Sequence, residues 1–248
     1  MGDAAEYSSS EFGSRPVRHR TSGFEDLFSL ADADEAISGR GLRRPALRMV
    51  QDGEVLPASL WTRRARTGSV WIDDLVDPAK ALSLFDAGAT IVFQSLQRWW
   101  PPVASFCREL ESALGHAVQA NAYLTPAGAA GLDPHHDTHD VFVLQVHGSK
   151  AWVVREPVID KPLAHQHSRH EQAGAQPVLF EAELVPGDCL YLPRGFVHSA
   201  RAQRDASLHL TLGVLATTAH DVAKDLLDRA VASVPSLRKT VPALGSRE

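Results

Sequence analysis

Hydrophobic and polar positions follow two different patterns along this chain, and the change falls near residue 117. Before it, helical and extended spacings are mixed. Phe24, Leu27, Phe28 and Leu30 recur at three- to four-residue spacing after Thr21 and Ser22, which predicts a helix capped by one of those hydroxyls. Residues 46–51 read as a strand that ends at the turn pair Asp52-Gly53. Asp77-Pro78 opens a helix through Ala81, Leu82, Leu84 and Phe85 that closes near Gly88. Residues 89–96 form an apolar run of strand length. Residues 99–114 predict a helix with Pro101 and Pro102 in its first turn and Gly115 just past its end.

After residue 117 the pattern is β-rich. Short runs at 118–125, 141–146, 151–155, 178–184, 189–192 and 207–214 are separated by turn signals such as Pro126-Ala127-Gly128, His147-Gly148-Ser149 and Pro186-Gly187-Asp188. Regularly spaced strands without intervening helices predict an antiparallel barrel or jelly roll. A helix is expected over 218–234, and no internal repeat is visible. The implied organisation is a Ser-, Gly- and charge-rich disordered tail at 1–22, an α/β segment at 23–116 that packs on the barrel, the barrel core at 117–216, and a C-terminal helix and tail at 217–248.

Composition narrows the function classes. Hydrophobic residues make up 44% and charged residues 22% of the 248, the proportions of an ordinary globular protein. A net charge of -5 argues against strong nucleic-acid binding. The cluster Arg63-Arg64-Ala65-Arg66 is read as a solvated loop, with local contact as the alternative. Cys107 and Cys189 are the two cysteines, both in apolar surroundings, so they read as small core residues in a reducing, cytoplasmic setting. No apolar run reaches membrane-spanning length, and the N-terminus lacks a signal-peptide core. His165, His167 and His170 lie in a polar stretch that reads as an insertion between barrel strands rather than a metal loop.

The chemistry-bearing pattern is His135-His136-Asp137, joined by His198 in Pro193-Arg194-Gly195-Phe196-Val197-His198. Two imidazoles and one carboxylate can occupy one face of a six-coordinate metal and leave three positions open, the ligand set of non-haem Fe(II) oxygenases. A His-x-Asp pair alone is a pattern that chance supplies. Alternation along a strand would point His135 and Asp137 to one side and His136 to the other.

Several ordered motifs resemble the cupin-type JmjC ribosomal oxygenases. They are Asn121-Ala-Tyr123-Leu-Thr-Pro126, Pro134-His-His-Asp137, Val141 through Lys150-Ala-Trp152, Pro186-Gly-Asp through His198, and Ser207-Leu-His-Leu-Thr211, and the likeness extends over about 24–233. The resemblance implies a mainly β fold with flanking helices around a double-stranded β-helix (jelly-roll, cupin/JmjC) core. It implies His135, Asp137 and His198 as iron ligands. Lys150, fifteen residues after His135, matches the lysine that grips the distal carboxylate of 2-oxoglutarate; a surface lysine in a turn is the alternative. Asn121, Tyr123 and Thr211 would line the co-substrate pocket or serve as core polar groups, and His139 and His209 read as core or ligand-supporting histidines. His136 stands where the family more often has Tyr.

The implied activity is Fe(II)- and 2-oxoglutarate-dependent hydroxylation of an amino-acid side chain in a protein or peptide, with a ribosomal protein as the implied partner and demethylation less favoured. A hydroxylase of a small peptide or natural-product precursor, and a metal-binding cupin that is not an oxygenase, are the competing readings. The family usually continues into a helical dimerisation region and a winged-helix domain. This sequence ends after one helix and a polar tail, which leaves a homodimer and ribosomal-protein recognition as open expectations.

Overall fold

The structure, a computed structural model, describes residues 12–166 and 170–240. In chain order its elements are β1 (Val17–Arg20), α1 (Leu30–Gly39), β2 (Leu47–Gln51), β3 (Glu54–Val55), β4 (Thr62–Thr67), β5 (Val70–Val76), α2 (Pro78–Asp86), β6 (Thr90–Phe93), α3 (Pro101–Leu114), β7 (Ala117–Thr125), β8 (Asp140–His147), β9 (Lys150–Pro157), α4 (His170–Gly174), β10 (Val178–Leu184), β11 (Asp188–Leu192), β12 (Phe196–Ala202), β13 (Ser207–Leu215) and α5 (Ala219–Ser233). The described residues up to Leu215 form one compact unit, and those from Ala216 form a second that contains α5.

Antiparallel pairing builds an eight-stranded sheet in the order β1-β11-β8-β13-β7-β6-β2-β3 and a three-stranded sheet in the order β10-β9-β12. β4 and β5 form a separate two-stranded ribbon. β8 explains why its sequence is apolar at nearly every position. Phe142, Leu144 and Val146 enter a core shared with the N-terminal segment, while Val141 and Val143 join Trp152, Val154 and Leu190 in a second core. A strand buried on both faces cannot alternate in polarity. The first core is centred on Phe28, which stands edge-on to Phe93 and to Trp100 at 5.2 Å each.

Local signals account for the helix starts. Asp77 caps α2 by accepting from the Lys80 amide at 3.3 Å, and Pro78 supplies a φ already suited to the first turn. α3 carries Pro101 and Pro102 where their missing N–H groups cost nothing, and it ends at Gly115 with φ 71°. The helix expected through Phe24–Leu30 begins later. Ser29 caps it in a capping box with Asp32, and Phe24 and Phe28 instead plug the core from the turn that precedes it.

The expected tail at 1–22 is also revised. Its first eleven residues lie outside the described residues, but Val17–Arg20 forms β1 and pairs with β11 along the sheet edge. Arg18 donates to the buried Asp188 carboxylate at 2.7 Å, which ties β1 down. The cluster Arg63-Arg64-Ala65-Arg66 is strand β4 rather than a loop.

Candidate metal and co-substrate site

Between the two sheets lies a cavity of about 360 Å³ whose wall includes His135, Asp137, His198, Lys150, Tyr123 and Thr211. One ligating atom from each of His135, Asp137 and His198 lies within 4.8 Å of the others. The His135 ring stands 4.5 Å from that of His198, and Asp137 Oδ2 lies 3.7 Å from His198 Nε2.

The backbone sets this geometry. His135 and His198 form a bridge in which His198 N–H donates to the His135 carbonyl at 2.8 Å and His135 N–H donates back at 3.2 Å. The Gly195 amide donates to the Asp137 carbonyl at 3.0 Å, so the Pro-Arg-Gly turn holds the carboxylate-bearing residue in place. Residues 135–137 therefore sit on a loop anchored at two points, not on a continuous strand. That corrects the expectation for His136, which is 5% exposed and lies on the cavity wall, with Nε2 3.0 Å from the Gln166 carbonyl.

Hydrogen bonding assigns the tautomers. His135 Nδ1 lies 2.7 Å from the Asp133 carbonyl and His198 Nδ1 lies 3.1 Å from the Phe196 carbonyl. A carbonyl only accepts, so each Nδ1 carries the proton and each Nε2 presents a lone pair to the cluster. Burial, reinforced by the neighbouring His135, pushes the His198 imidazole down to about 4, which keeps it neutral. Burial alone would raise the Asp137 carboxyl, but the surrounding imidazoles of His198 and His135 outweigh it and hold it below the usual carboxylate range. Two imidazoles and one carboxylate make a donor set suited to a divalent first-row metal.

Lys150 begins β9 and is 2% exposed. Its Nζ donates to Thr125 Oγ1 at 2.9 Å, and Thr125 Oγ1 lies 3.2 Å from Thr90 Oγ1. No carboxylate among the described residues pairs with it, and burial lowers its pKa to about 7. A buried ammonium with one hydroxyl partner has donors to spare, and a bound carboxylate would satisfy them.

Tyr123 and His209 face each other across β7 and β13 and stack with centroids 5.0 Å apart and planes at 2°. Trp152 meets His209 edge-on at 5.5 Å. Burial, with Lys150 and His198 nearby, holds His209 well below the ordinary imidazole range, so it is a neutral wall group and not a charge carrier. Thr211 lines the cavity, but its cross-strand neighbour Asn121 does not reach the wall. Asn121 Oδ1 instead accepts from the Ser95 amide at 3.0 Å, at a residue whose φ is 53°. Asn121 therefore fixes a left-handed turn, a role more remote than the one the sequence suggested.

Arg48 and Trp152 are wall residues that the sequence reading did not assign to the site. Arg48 of β2 reaches the cavity wall beside Tyr123. Trp152 has a buried Nε1 with no partner. A polar Arg48 between the buried Leu47 and Met49 was the available signal for the first, and the position of Trp152 two residues after Lys150, on the same strand face, was the signal for the second. Of the polar-loop histidines, His165 is exposed, His167 lies outside the described residues, and the side chain of His170 is likewise undescribed.

A jelly roll with a His-x-Asp loop and a later strand histidine defines a cupin-class metal site. The JmjC domain family matches residues 94–222, just over half of the chain, and the chain belongs to that family. Ribosomal oxygenase 1 of Homo sapiens is 34% identical over 193 residues, which are 76% of this chain and 28% of the relative. Bifunctional lysine-specific demethylase and histidyl-hydroxylase NO66 of Brugia malayi is 33% identical over 63% of this chain and 24% of its own length. Among solved structures, Escherichia coli YcfD superposes with a TM-score of 0.64 at 19% identity, covering 100% of this chain and 62% of that one. YcfD in complex with cobalt and 2-oxoglutarate, described as a ribosomal oxygenase, gives 0.62 at 18% over 98% and 60%. The chain thus spans about a quarter of these curated relatives and about three fifths of the solved structures.

Proposed function

We propose that this chain is an Fe(II)- and 2-oxoglutarate-dependent oxygenase that hydroxylates an amino-acid side chain of a protein. The observation that carries this reading is the coexistence, in one cavity, of the His135-Asp137-His198 cluster and the unpaired buried Lys150. A site that held a metal only for structure would have no use for a buried ammonium.

His135 and His198 would hold iron through Nε2 and Asp137 through a carboxylate oxygen. Lys150 and Thr125 would hold the distal carboxylate of 2-oxoglutarate, whose charge offsets the desolvation of the ammonium. Val141, Val143 and Trp152 line the same wall and exclude water. With 2-oxoglutarate and dioxygen, bound iron supplies the oxidising power that places one oxygen atom in a C–H bond, as succinate and carbon dioxide are released. Tyr123 and Arg48 line the same cavity and would present polar groups to a bound target side chain.

The names of the relatives support a ribosomal protein as the target and hydroxylation as the outcome. A cytoplasmic location belongs to the same reading. Cys107 and Cys189 are buried and unpaired, with burial raising their thiols to about 11 and about 12.

The test is succinate release from 2-oxoglutarate with Fe(II), followed by mass spectrometry of ribosomal proteins for a gain of one oxygen. His135→Ala and Asp137→Ala are expected to abolish both signals. Full turnover in either variant would overturn the ligand assignment, and absence of succinate from the intact protein would overturn the reaction.

A further inference from the structure

We propose that the β4–β5 ribbon is a binding arm for single-stranded nucleic acid. The ribbon is a sheet of its own, and its base is anchored to the rest of the chain. There the Val76 amide bonds the Leu42 carbonyl at 2.9 Å, Thr62 Oγ1 bonds the Ala58 carbonyl at 2.8 Å, and Lys80 Nζ bonds the Thr62 carbonyl at 3.0 Å. Its far end turns at Gly68-Ser69 and leaves Val70 63% exposed.

One face of the ribbon combines an aromatic plane with cations. Trp71 is 51% exposed and pairs across the strands with Arg66. The Arg64 guanidinium lies 4.2 Å and that of Arg66 6.0 Å from the ring centre. The charge around the ribbon is unbalanced, with Arg64 and Arg66 on the Trp71 face and Arg63 on the opposite one. Asp73 pairs with Arg64 at 2.8 Å and Asp74 with Arg43 at 2.7 Å. Arg44, Arg63 and Arg66 are exposed and have no carboxylate partner among the described residues. This excess stands on a chain whose net charge is -5, so it is local to the arm.

Bases stack on exposed indoles, and phosphates pair with exposed arginines. An acidic peptide would engage the arginines alone and leave Trp71 idle, so the combination favours nucleic acid. A few phosphate contacts make a weak, salt-sensitive site, which is compatible with an acidic protein overall.

Fluorescence anisotropy of labelled single-stranded RNA and DNA oligomers against the full chain tests this, with poly-glutamate as the charge control. The arm is expected to bind both oligomers, with log K falling against log salt at a slope of about -2 for three phosphate contacts. Trp71→Ala is expected to weaken binding about tenfold, as loss of one stacked base does. Arg63→Gln with Arg66→Gln retains the indole and is expected to flatten the salt slope. Succinate release is expected to be unchanged in all these variants, so failure of the arm and failure of the oxygenase reading are separable. Poly-glutamate binding as tight as RNA, or oligomer binding that neither variant weakens, would overturn the proposal.

Discussion

Lys150 is a buried cation that no carboxylate among the described residues offsets, and two consequences follow from its pKa. Burial lowers it from 10.5 to about 7. Between those values the unfolded chain binds a proton that the folded chain does not, so stability of the ligand-free protein rises with pH from about 7 toward 10.5. Urea unfolding at pH 7 and pH 9 checks this, and Lys150→Met is expected to reduce the dependence and to unfold at higher urea at pH 7. An anion that needs the ammonium binds best below about pH 7, so 2-oxoglutarate affinity is expected to fall as pH rises above that value. Titration calorimetry across the range reads that loss. In the same assay, Lys150→Met is expected to weaken 2-oxoglutarate by more than tenfold while Co(II) binding persists, because the lysine is not a metal ligand.

At the scale of elements, the site depends on turns as much as on strands. Gly195 has φ 96°, a Cβ there would lie 2.4 Å from the Ile159 carbonyl oxygen, and its amide supports Asp137. Gly195→Ala is expected to cost about 1–3 kcal/mol in urea unfolding and to weaken Co(II) binding, read from visible absorption. Unchanged metal affinity would show that the 193–195 turn does not position Asp137. Most strands of the barrel were legible because their apolar runs end at Gly and Pro turns. Others were not. β4 carries three arginines in a run without apolar alternation, and it becomes a strand by closing a hairpin with β5 through the Gly68-Ser69 turn. β1 is four residues of mixed polarity that become a strand only by adding to the edge of β11. The Phe24 and Phe28 spacing looked helical, but those rings are placed by the core they fill.

At the scale of the whole molecule, the metal is expected to act as a staple. The His135-Asp137 loop and β12 meet at the cluster, so an ion held there ties the loop to the smaller sheet. Binding that favours the folded state stabilises it by about 2.7 kcal/mol at a hundredfold excess over Kd, or roughly 5–10 °C in Tm for a domain of this size. Thermal melts with Co(II) and with EDTA measure that difference, and His198→Ala is expected to remove it. Equal melting temperatures at saturating Co(II) would argue against the cluster as a metal site.

The β-rich class, the helix caps at Asp77 and Gly115, and the residue types of the His135, Asp137 and His198 cluster were legible from the chain alone, because local periodicity, turn chemistry and short motifs carry them. Which polar groups share the cavity was set by packing across the two sheets. It brought in Arg48 and His136, turned Asn121 away to hold Ser95, and gave Lys150 a hydroxyl partner in Thr125 with no carboxylate among the described residues. Those outcomes depend on sheet register and on a loop anchored at two distant points, contacts between residues far apart in the chain that no local pattern encodes.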